Sequence, residues 1–275
     1  MEYNGIIYVV GTPIGNLSDL TPRAAETLEK VDFIAAEDTR VTLKLLNHLG
    51  IKKPMISYFE HNKLRRGEEI CRRILGGETC AIVTDAGMPC ISDPGEELIK
   101  QCAEYGIKTE VVPGPSAVIS ALCVSGLATG RFSFEGFLSV NKKSRREHLE
   151  ALKNEQRTMI FYEAPHKLPN TLKDLYDNFG DRRLTICREL TKLHEEIIRT
   201  TTKEAFENYS QGNLKGEMVL VLEGAAAVMQ TEYSLEDAVE IARKLADEGV
   251  KTADACKEAA AVTGFKKNEI YRKMM

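Results

Sequence analysis

No two of the seven cysteines are spaced as CxxC, and the five histidines never fall as HExxH or in any other metal-ligand grouping. That argues against a structural zinc and against a zinc-hydrolase centre, and no stable metal is expected. An odd number of cysteines, several of them inside apolar runs, reads as small core residues in a reducing compartment rather than as disulfides. The pattern GxxxxGK[ST] is missing, so a P-loop in its usual form is excluded, and no GxSxG nucleophile elbow occurs. No apolar run approaches membrane-spanning length. The start Met1–Gly5 is polar and leads directly into a strand, unlike a secretory leader. A net charge of −4 gives the molecule as a whole no pull on nucleic acid, so a polyanionic partner must be met by local patches. The expectation is a cytoplasmic protein with no membrane segment, and 275 residues of ordinary globular composition suffice for two domains.

What is present is a regular alternation. Ile6–Val10 is a β-branched run ending in GTPIGN, and Thr21–Lys30 has helical spacing with Thr21 as cap and Pro22 at the first helical position. Phe33–Ala36 is a short strand ending in Glu37-Asp38-Thr39-Arg40, followed by a helix that Gly50 stops. Met55–Tyr58 empties into Phe59-Glu60-His61-Asn62, and a basic amphipathic helix follows to Leu75. Cys80–Thr84 runs into the densest turn chemistry of the chain, Val83–Gly95 (VTDAGMPCISDPG), with two acids, two glycines and two prolines. After a helix to Tyr105, Lys108–Val112 turns through Pro113-Gly114-Pro115-Ser116 into the helix Ala117–Ser125. Strands alternating with helices predict a parallel sheet covered on both faces. The polar clusters all follow strands and so gather at the sheet's carboxyl edge, where open α/β sheets bind ligands.

Beyond Gly126 the pattern predicts a second α/β unit of more mixed pairing: Phe132–Phe137, Arg157–Tyr162, Leu184–Arg188, Glu195–Thr201 and Glu217–Glu223 are its strands. Ala225–Ala227 reads as a linker or a helix continuation, and three short helices from Leu235 to Met274 suggest a helix-turn-helix-like appendix or a plain packing bundle. The expected architecture is therefore α/β: a domain at 1–125, a second at 126–224, a cleft between them, and a small helical segment at 230–275.

Several residues in this frame can carry chemistry, and each has a plainer alternative. GTPIGN with Glu37 or Asp38 downstream imitates a dinucleotide fingerprint, but GxxxG with a proline is not GxGxxG, which weakens a nicotinamide reading. Asp85 is a ligand candidate or a turn cap. Asp38 and Arg40 form a functional pair or a structural bridge. His61 and Asn62 lie in a polar loop, whereas His166 after Pro165 can simply cap a helix. Lys142, Lys143, Arg145 and Arg146 put four bases in NKKSRR, either a solvated face or a loop that meets phosphates.

The motifs GTPIGNLSDLTPRAAETLEKVD, AAEDTR, SYFEHN, VTDAGMPCISDPG, VVPGPSA, FEGFL, FYEAPHKL, CRELTKLHEE and GEMVLVLEG occur in order over Ile6–Gly224. Together they resemble the tetrapyrrole methylase superfamily, and within it the branch that acts on small-subunit ribosomal RNA. The resemblance implies a two-domain enzyme, usually a homodimer, that uses S-adenosylmethionine to methylate a cytidine 2′-hydroxyl in the decoding region of 16S ribosomal RNA. It implies a cofactor folded into the cleft, with Pro13, Asp85, Ala86, Met88, Ser116, Ala117, Leu138 and Tyr162 as its wall. A porphyrinoid C-methyltransferase would share fold and cofactor; the basic run, EDTR, FEHN and the appendix favour RNA. On this reading Asp38, Arg40, His61 and Asn62 converge beside the methyl group: Arg40 on a phosphate, Asn62 on the sugar or base edge, Asp38 or His61 as proton acceptor. Lys142, Lys143, Arg145 and Arg146 then meet RNA phosphates.

Overall fold

A computed structural model of the protein describes residues 5–212, 214–226 and 233–275. The polar start up to Asn4 and the last residue of the expected linker, Ala227, lie outside the described residues. By its internal contacts the chain forms two compact units, Met1–Ala225 and Ala226–Met275.

In the first unit, β1 (Ile6–Val10), β2 (Phe33–Ala36), β3 (Met55–Ser57), β4 (Cys80–Val83) and β5 (Lys108–Val112) form a sheet in the order β3-β2-β4-β1-β5. All four pairings are parallel, as the alternation with helices requires. The two strands β2 (FIAA) and β4 (CAIV) are buried at every position, which explains why they read as continuous apolar runs rather than as alternating ones. Period-two geometry divides their side chains between two cores. Ile7, Phe33 and Ile82 pack against α3 (Lys63–Leu75) and α4 (Glu96–Glu104) through Ile70, Ile74 and Leu98. Val10, Ile34 and Val83 pack against α1 (Pro22–Lys30) and α2 (Thr39–Leu49) through Leu28, Leu45 and Leu46. Thr21 caps α1, accepting from the Ala24 N–H at 3.1 Å, and Gly50 ends α2 in a left-handed conformation.

A second five-stranded sheet has the order β6-β7-β10-β8-β9, from β6 (Phe132–Phe137), β7 (Thr158–Glu163), β8 (Arg183–Arg188), β9 (Glu196–Thr201) and β10 (Met218–Leu222). Only β6 and β7 are parallel; the other pairings are antiparallel. One face, with Met159, Phe161, Ile186 and Leu220, is covered by α6 (Lys142–Ala151), α7 (Leu168–Phe179) and α8 (Thr202–Tyr209). The other face, with Ile160, Val219 and Val221, is covered by Val118, Ala121 and Leu122 of α5 (Ala117–Ser125). The helix that leaves the first sheet thus packs on the second, which is why the contacts do not divide the chain at Ser125.

The second unit holds α9 (Leu235–Asp247), α10 (Thr252–Thr263) and α11 (Lys267–Met274) around a small core of Ala238, Val239, Ala242, Cys256, Ala259 and Ile270. Ser234 and Asp237 form a reciprocal capping box that opens α9.

Candidate functional site

The carboxyl ends of β1, β4 and β5 are pinned together before they reach the site. The Thr12 N–H donates to the Gly87 carbonyl at 2.9 Å and the Gly87 N–H donates back to Thr12 at 3.1 Å. The buried Thr12 hydroxyl donates to the Thr84 carbonyl at 3.2 Å. Gly11 and Gly114 let the ends of β1 and β5 touch: a Cβ on Gly11 would stand 2.7 Å from the Gly114 Cα and 2.6 Å from the Met88 sulfur. The loop then continues through Cys90 and Ser92, two non-glycine residues in the left-handed region at φ 73° and 62°. Such strain persists only where the surroundings impose it and concentrates at functional sites.

Between these loops and the second sheet lies a cavity of about 290 Å³. Ile14, Ala86, Gly87, Met88, Ser116 and Ala117 form one wall, Ser92 and Asp93 a rim, and Phe137, Tyr162, Leu190, Met218 and Val219 belong to the opposite side. Its size is at the small end of the range of roughly 300–1,000 Å³ typical of ligand pockets. Tyr162 is fixed by an edge contact with Phe134 (4.9 Å between centroids) and a tilted one with Phe137 (5.4 Å). Burial pushes its hydroxyl up to about 12, so it is a neutral hydrogen-bond donor at working pH. The wall suits a nucleoside joined to an amino acid. Small side chains bring the backbone N–H and C=O groups close, and Ile14, Met88, Leu190 and Val219 offer apolar faces to a base. Gly87, at φ 80°, holds a place where a Cβ would be strained and would meet Ile14 at 3.4 Å.

Five of the eight expected cofactor residues, Ala86, Met88, Ser116, Ala117 and Tyr162, are in this wall. Three are placed otherwise. Leu138 is buried in the core under α6 and α7, and its strand neighbour Phe137 takes the cavity position instead, because alternate side chains of a strand point to opposite faces. Asp85 turns toward the end of β2, where its carboxylate accepts from the Asp38 N–H at 3.2 Å and its own N–H donates to Glu37 at 3.3 Å. Partial burial, with like charges next to it, raises both Glu37 and Asp85 above the ordinary carboxylate range. Pro13 is half-buried beside Thr12 and outside the lining residues.

Asp38, Arg40, His61 and Asn62 do leave adjacent strands, but they stand outside the cavity wall, which draws on β4, β1 and β5 while β3 is the far edge of the sheet. Asp38 is committed to structure. It accepts from the Arg40 N–H at 2.8 Å as the cap of α2 and pairs with the Arg40 guanidinium at 2.6 Å. Those hydrogen bonds hold its carboxyl down at about 2, which makes it a poor proton acceptor and corrects the expectation of a basic Asp38. Asn62 is likewise spent inside its loop, accepting from the Phe59 N–H at 2.9 Å and donating to the Ser57 carbonyl at 3.1 Å. His61 is exposed, with its ring edge-on to Phe59. Arg40 keeps its side chain 87% exposed.

Of the basic run, Lys142, Lys143 and Arg146 are exposed at the start of α6, which Asn141 caps by accepting from the Lys143 and Ser144 N–H groups at 3.0 and 3.1 Å. The segment is helix rather than loop, and helical spacing turns Arg145 to the side of Leu149. Arg145 donates to Asp174 at 2.6 Å and to the Thr171 hydroxyl at 2.8 Å, with its side chain only 16% exposed, so it is not available to a phosphate. The Thr171 hydroxyl donates in turn to the buried Glu163, whose other oxygen accepts from the Ala164 N–H at 2.8 Å.

Asp93 is among the cavity residues that drew no functional expectation. Asp93 follows the strained Ser92 at the rim, half-buried, and no hydrogen bond or ion pair engages its carboxyl among the described residues. Burial first, then the charges of Glu37 and Asp85, push it up to about 6. Among the described residues no group of three His, Cys, Asp or Glu side chains is placed to hold a metal ion. Nor is any described helix long and apolar enough to cross a membrane.

Two α/β layers with a cavity at the carboxyl ends of a parallel sheet are the setting in which a methylase family is recognised. The family described as Tetrapyrrole (Corrin/Porphyrin) Methylases matches residues 6–205, and the chain belongs to it. The particular relatives are named for ribosomal RNA. The chain is 46% identical to the ribosomal RNA small subunit methyltransferase I of Synechocystis over 269 residues, 98% of this chain and 96% of that one. It is 48% identical to the Thermotoga maritima protein of the same name over 220 residues, 80% of this chain and 99% of that shorter one. Among solved structures, the fold resembles uroporphyrin-III C-methyl transferase from Thermus thermophilus complexed with S-adenyl homocysteine, with a TM-score of 0.58 at 17% identity, covering 80% of this chain and 97% of that one.

Proposed function

We propose that this chain transfers a methyl group from S-adenosylmethionine to a cytidine 2′-hydroxyl in the decoding region of 16S ribosomal RNA. The observation that carries the reading is the cavity of about 290 Å³ whose wall of small and apolar residues fits a nucleoside with an amino-acid tail. The relatives' shared name, at 46% and 48% identity, supplies the substrate class. The uroporphyrin enzyme is close in fold alone, so nothing specific favours a porphyrinoid substrate.

Ala86, Gly87, Met88, Ser116, Ala117 and Tyr162 would hold the cofactor, with the two halves 1–125 and 126–224 as its walls. When bound, it supplies an electrophilic methyl on a sulfonium that becomes neutral on transfer, so the protein's task is alignment more than charge neutralisation. The pinned β1 and β4 loops serve that task because they cannot drift apart. Arg40, exposed and oriented by Asp38, suits a phosphate beside the target ribose, and Lys142, Lys143 and Arg146 suit phosphates further along the strand. RNA bound in splayed, single-stranded form would bring the 2′-hydroxyl to the cavity mouth. A homodimer is part of the reading. Helix α5 is apolar on all sides, with Val118 and Leu122 buried while Ile119 and Val124 remain 48% and 38% exposed, and such a face calls for a cover. The place of action would be the cytoplasm, without a resident metal. Calorimetric titration with S-adenosylmethionine against NAD tests the cofactor. Mapping 2′-O-methyl sites on ribosomal RNA from a strain with and without the gene tests the substrate, and an unchanged map refutes the reading.

A further inference from the structure

Transfer of a methyl group to a ribose hydroxyl needs a proton acceptor close to the cofactor, and the cavity holds only three carboxyl side chains among its lining residues: Asp93, Glu163 and Glu217. Glu163 is buried and committed to Thr171 and the Ala164 N–H. Glu217 faces solvent and accepts from the Lys192 ammonium at 2.8 Å. Asp93 alone of the three has no hydrogen-bond or ion-pair partner among the described residues, and its backbone is held on both sides, by Ser92 in the left-handed region and by Pro94 with its fixed φ. We propose that Asp93 receives the 2′-hydroxyl proton of the target ribose during methyl transfer. The inference rests on the methyltransferase reading above and gives that site its proton acceptor.

The titratable groups that act on Asp93 are Glu37 at the end of β2 and Asp85 after β4, and those that feel its charge are Cys90 within its own loop and Tyr162 from β7. None of them is a cation. Burial and the two neighbouring carboxylates make Asp93 more basic than an ordinary aspartate, while leaving it ionised at neutral pH, the combination a general base requires. Tyr162, neutral and a donor, faces the same cavity and can hold the ribose oxygen in place. In the step, the ribose oxygen forms a bond to the methyl carbon, the carbon–sulfur bond breaks with its electron pair left on sulfur, and the hydroxyl proton goes to the Asp93 carboxylate.

The test uses the full chain and small ribosomal subunits that lack the methyl group. Single-turnover rates at saturating S-adenosylmethionine are measured against pH for wild type, Asp93→Asn, Asp93→Glu and His61→Ala. Asp93→Asn is expected to slow transfer by about 10²-fold or more, with cofactor and subunit affinities kept within about threefold. Asp93→Glu should recover part of the rate. The loss of rate on the acid side, near pH 6, should persist in His61→Ala and vanish in Asp93→Asn. Independently of turnover, carbon-13 labelling of aspartate carboxyls should give one resonance that titrates at about 6 and is absent from Asp93→Asn. Rates of Asp93→Asn within a few-fold of wild type, or an acid limb that follows His61, overturn the proposal. Loss of cofactor affinity in Asp93→Asn makes the residue a cofactor ligand and also overturns it. No methyl transfer by the wild type to any subunit refutes the methyltransferase reading itself, whereas cofactor binding and transfer with an indifferent Asp93 refute only its assignment as acceptor.

Discussion

Asp93 and Arg145 show what single positions do in this chain, and both lead to measurements. A carboxyl whose folded pKa lies at about 6 against an ordinary 3.8 holds its proton more tightly when folded than when unfolded. The cost therefore sets in as pH rises from about 4 to about 6 and stays constant above that, so Asp93→Asn should be more stable than wild type at neutral pH and equal to it below pH 4. Because the group is half in contact with solvent, the gain should be about 1 kcal/mol, readable as a shift in the denaturant midpoint at two pH values. A residue that makes the protein less stable and makes no bond of its own fits a role toward a ligand. Arg145 is the opposite case. Its pairing with Asp174 and Thr171 is structural, and Arg145→Ala should cost about 2 kcal/mol through an unpaired Asp174 and a loosened Thr171–Glu163 contact. The same change should leave the salt dependence of RNA binding alone. The triple variant of Lys142, Lys143 and Arg146 to Ala should flatten that dependence with stability unchanged within about 0.5 kcal/mol.

At the scale of elements, the first sheet was legible because buried parallel strands are short β-branched runs and each is punctuated by polar turn residues. IIYVV, FIAA and CAIV stand where the apolar runs put them, while KTEVV, mostly exposed, stands where the alternation with helices puts it. The helix Lys142–Ala151 carries few apolar residues, so its basic start gave no 3.6-residue signal and read as a loop. The resemblance implies Leu138 at the place Phe137 occupies; a strand's two faces differ by one residue, and the sequence of FEGFL does not say which face meets the cavity. Asp93 carries no separate signal in the sequence, because Asp-Pro-Gly is sufficient as turn chemistry on its own. The convergence at the strand ends, by contrast, follows from topology, and its tightness from glycine. Gly11→Ala would push a Cβ into Gly114 and Met88, so it should lower unfolding stability by about 2 kcal/mol and weaken S-adenosylmethionine binding by displacing Met88. Urea melts and calorimetry check both. Full stability with undiminished affinity would show that the two strand ends are not packed as closely as described.

For the molecule as a whole, the two compact units have very different resources. Every lining residue of the cavity lies between Ile14 and Val219, inside the unit that ends at Ala225. That unit has two sheets and four cores of large aliphatic and aromatic residues. The unit from Ala226 has one core of six buried residues, four of them alanine or cysteine. About fifty residues closing on so little apolar surface make a marginal domain. The Thermotoga relative is matched over 99% of its length by a 220-residue alignment, so a protein of that name exists at about the length of the first unit. A chain ended at Ala225 should therefore fold, keep its unfolding midpoint within about 3 °C, and bind S-adenosylmethionine within about threefold of the full chain. What it should lose is affinity for the ribosomal substrate, because the missing unit carries exposed Lys251, Lys257, Lys266, Lys267 and Arg272, which can meet phosphates. The comparison is made by thermal denaturation, calorimetry and binding to small subunits at two salt concentrations. A fall in cofactor affinity on truncation would place part of the cofactor site in the second unit, and unchanged subunit affinity with an unchanged salt slope would remove that unit from RNA recognition.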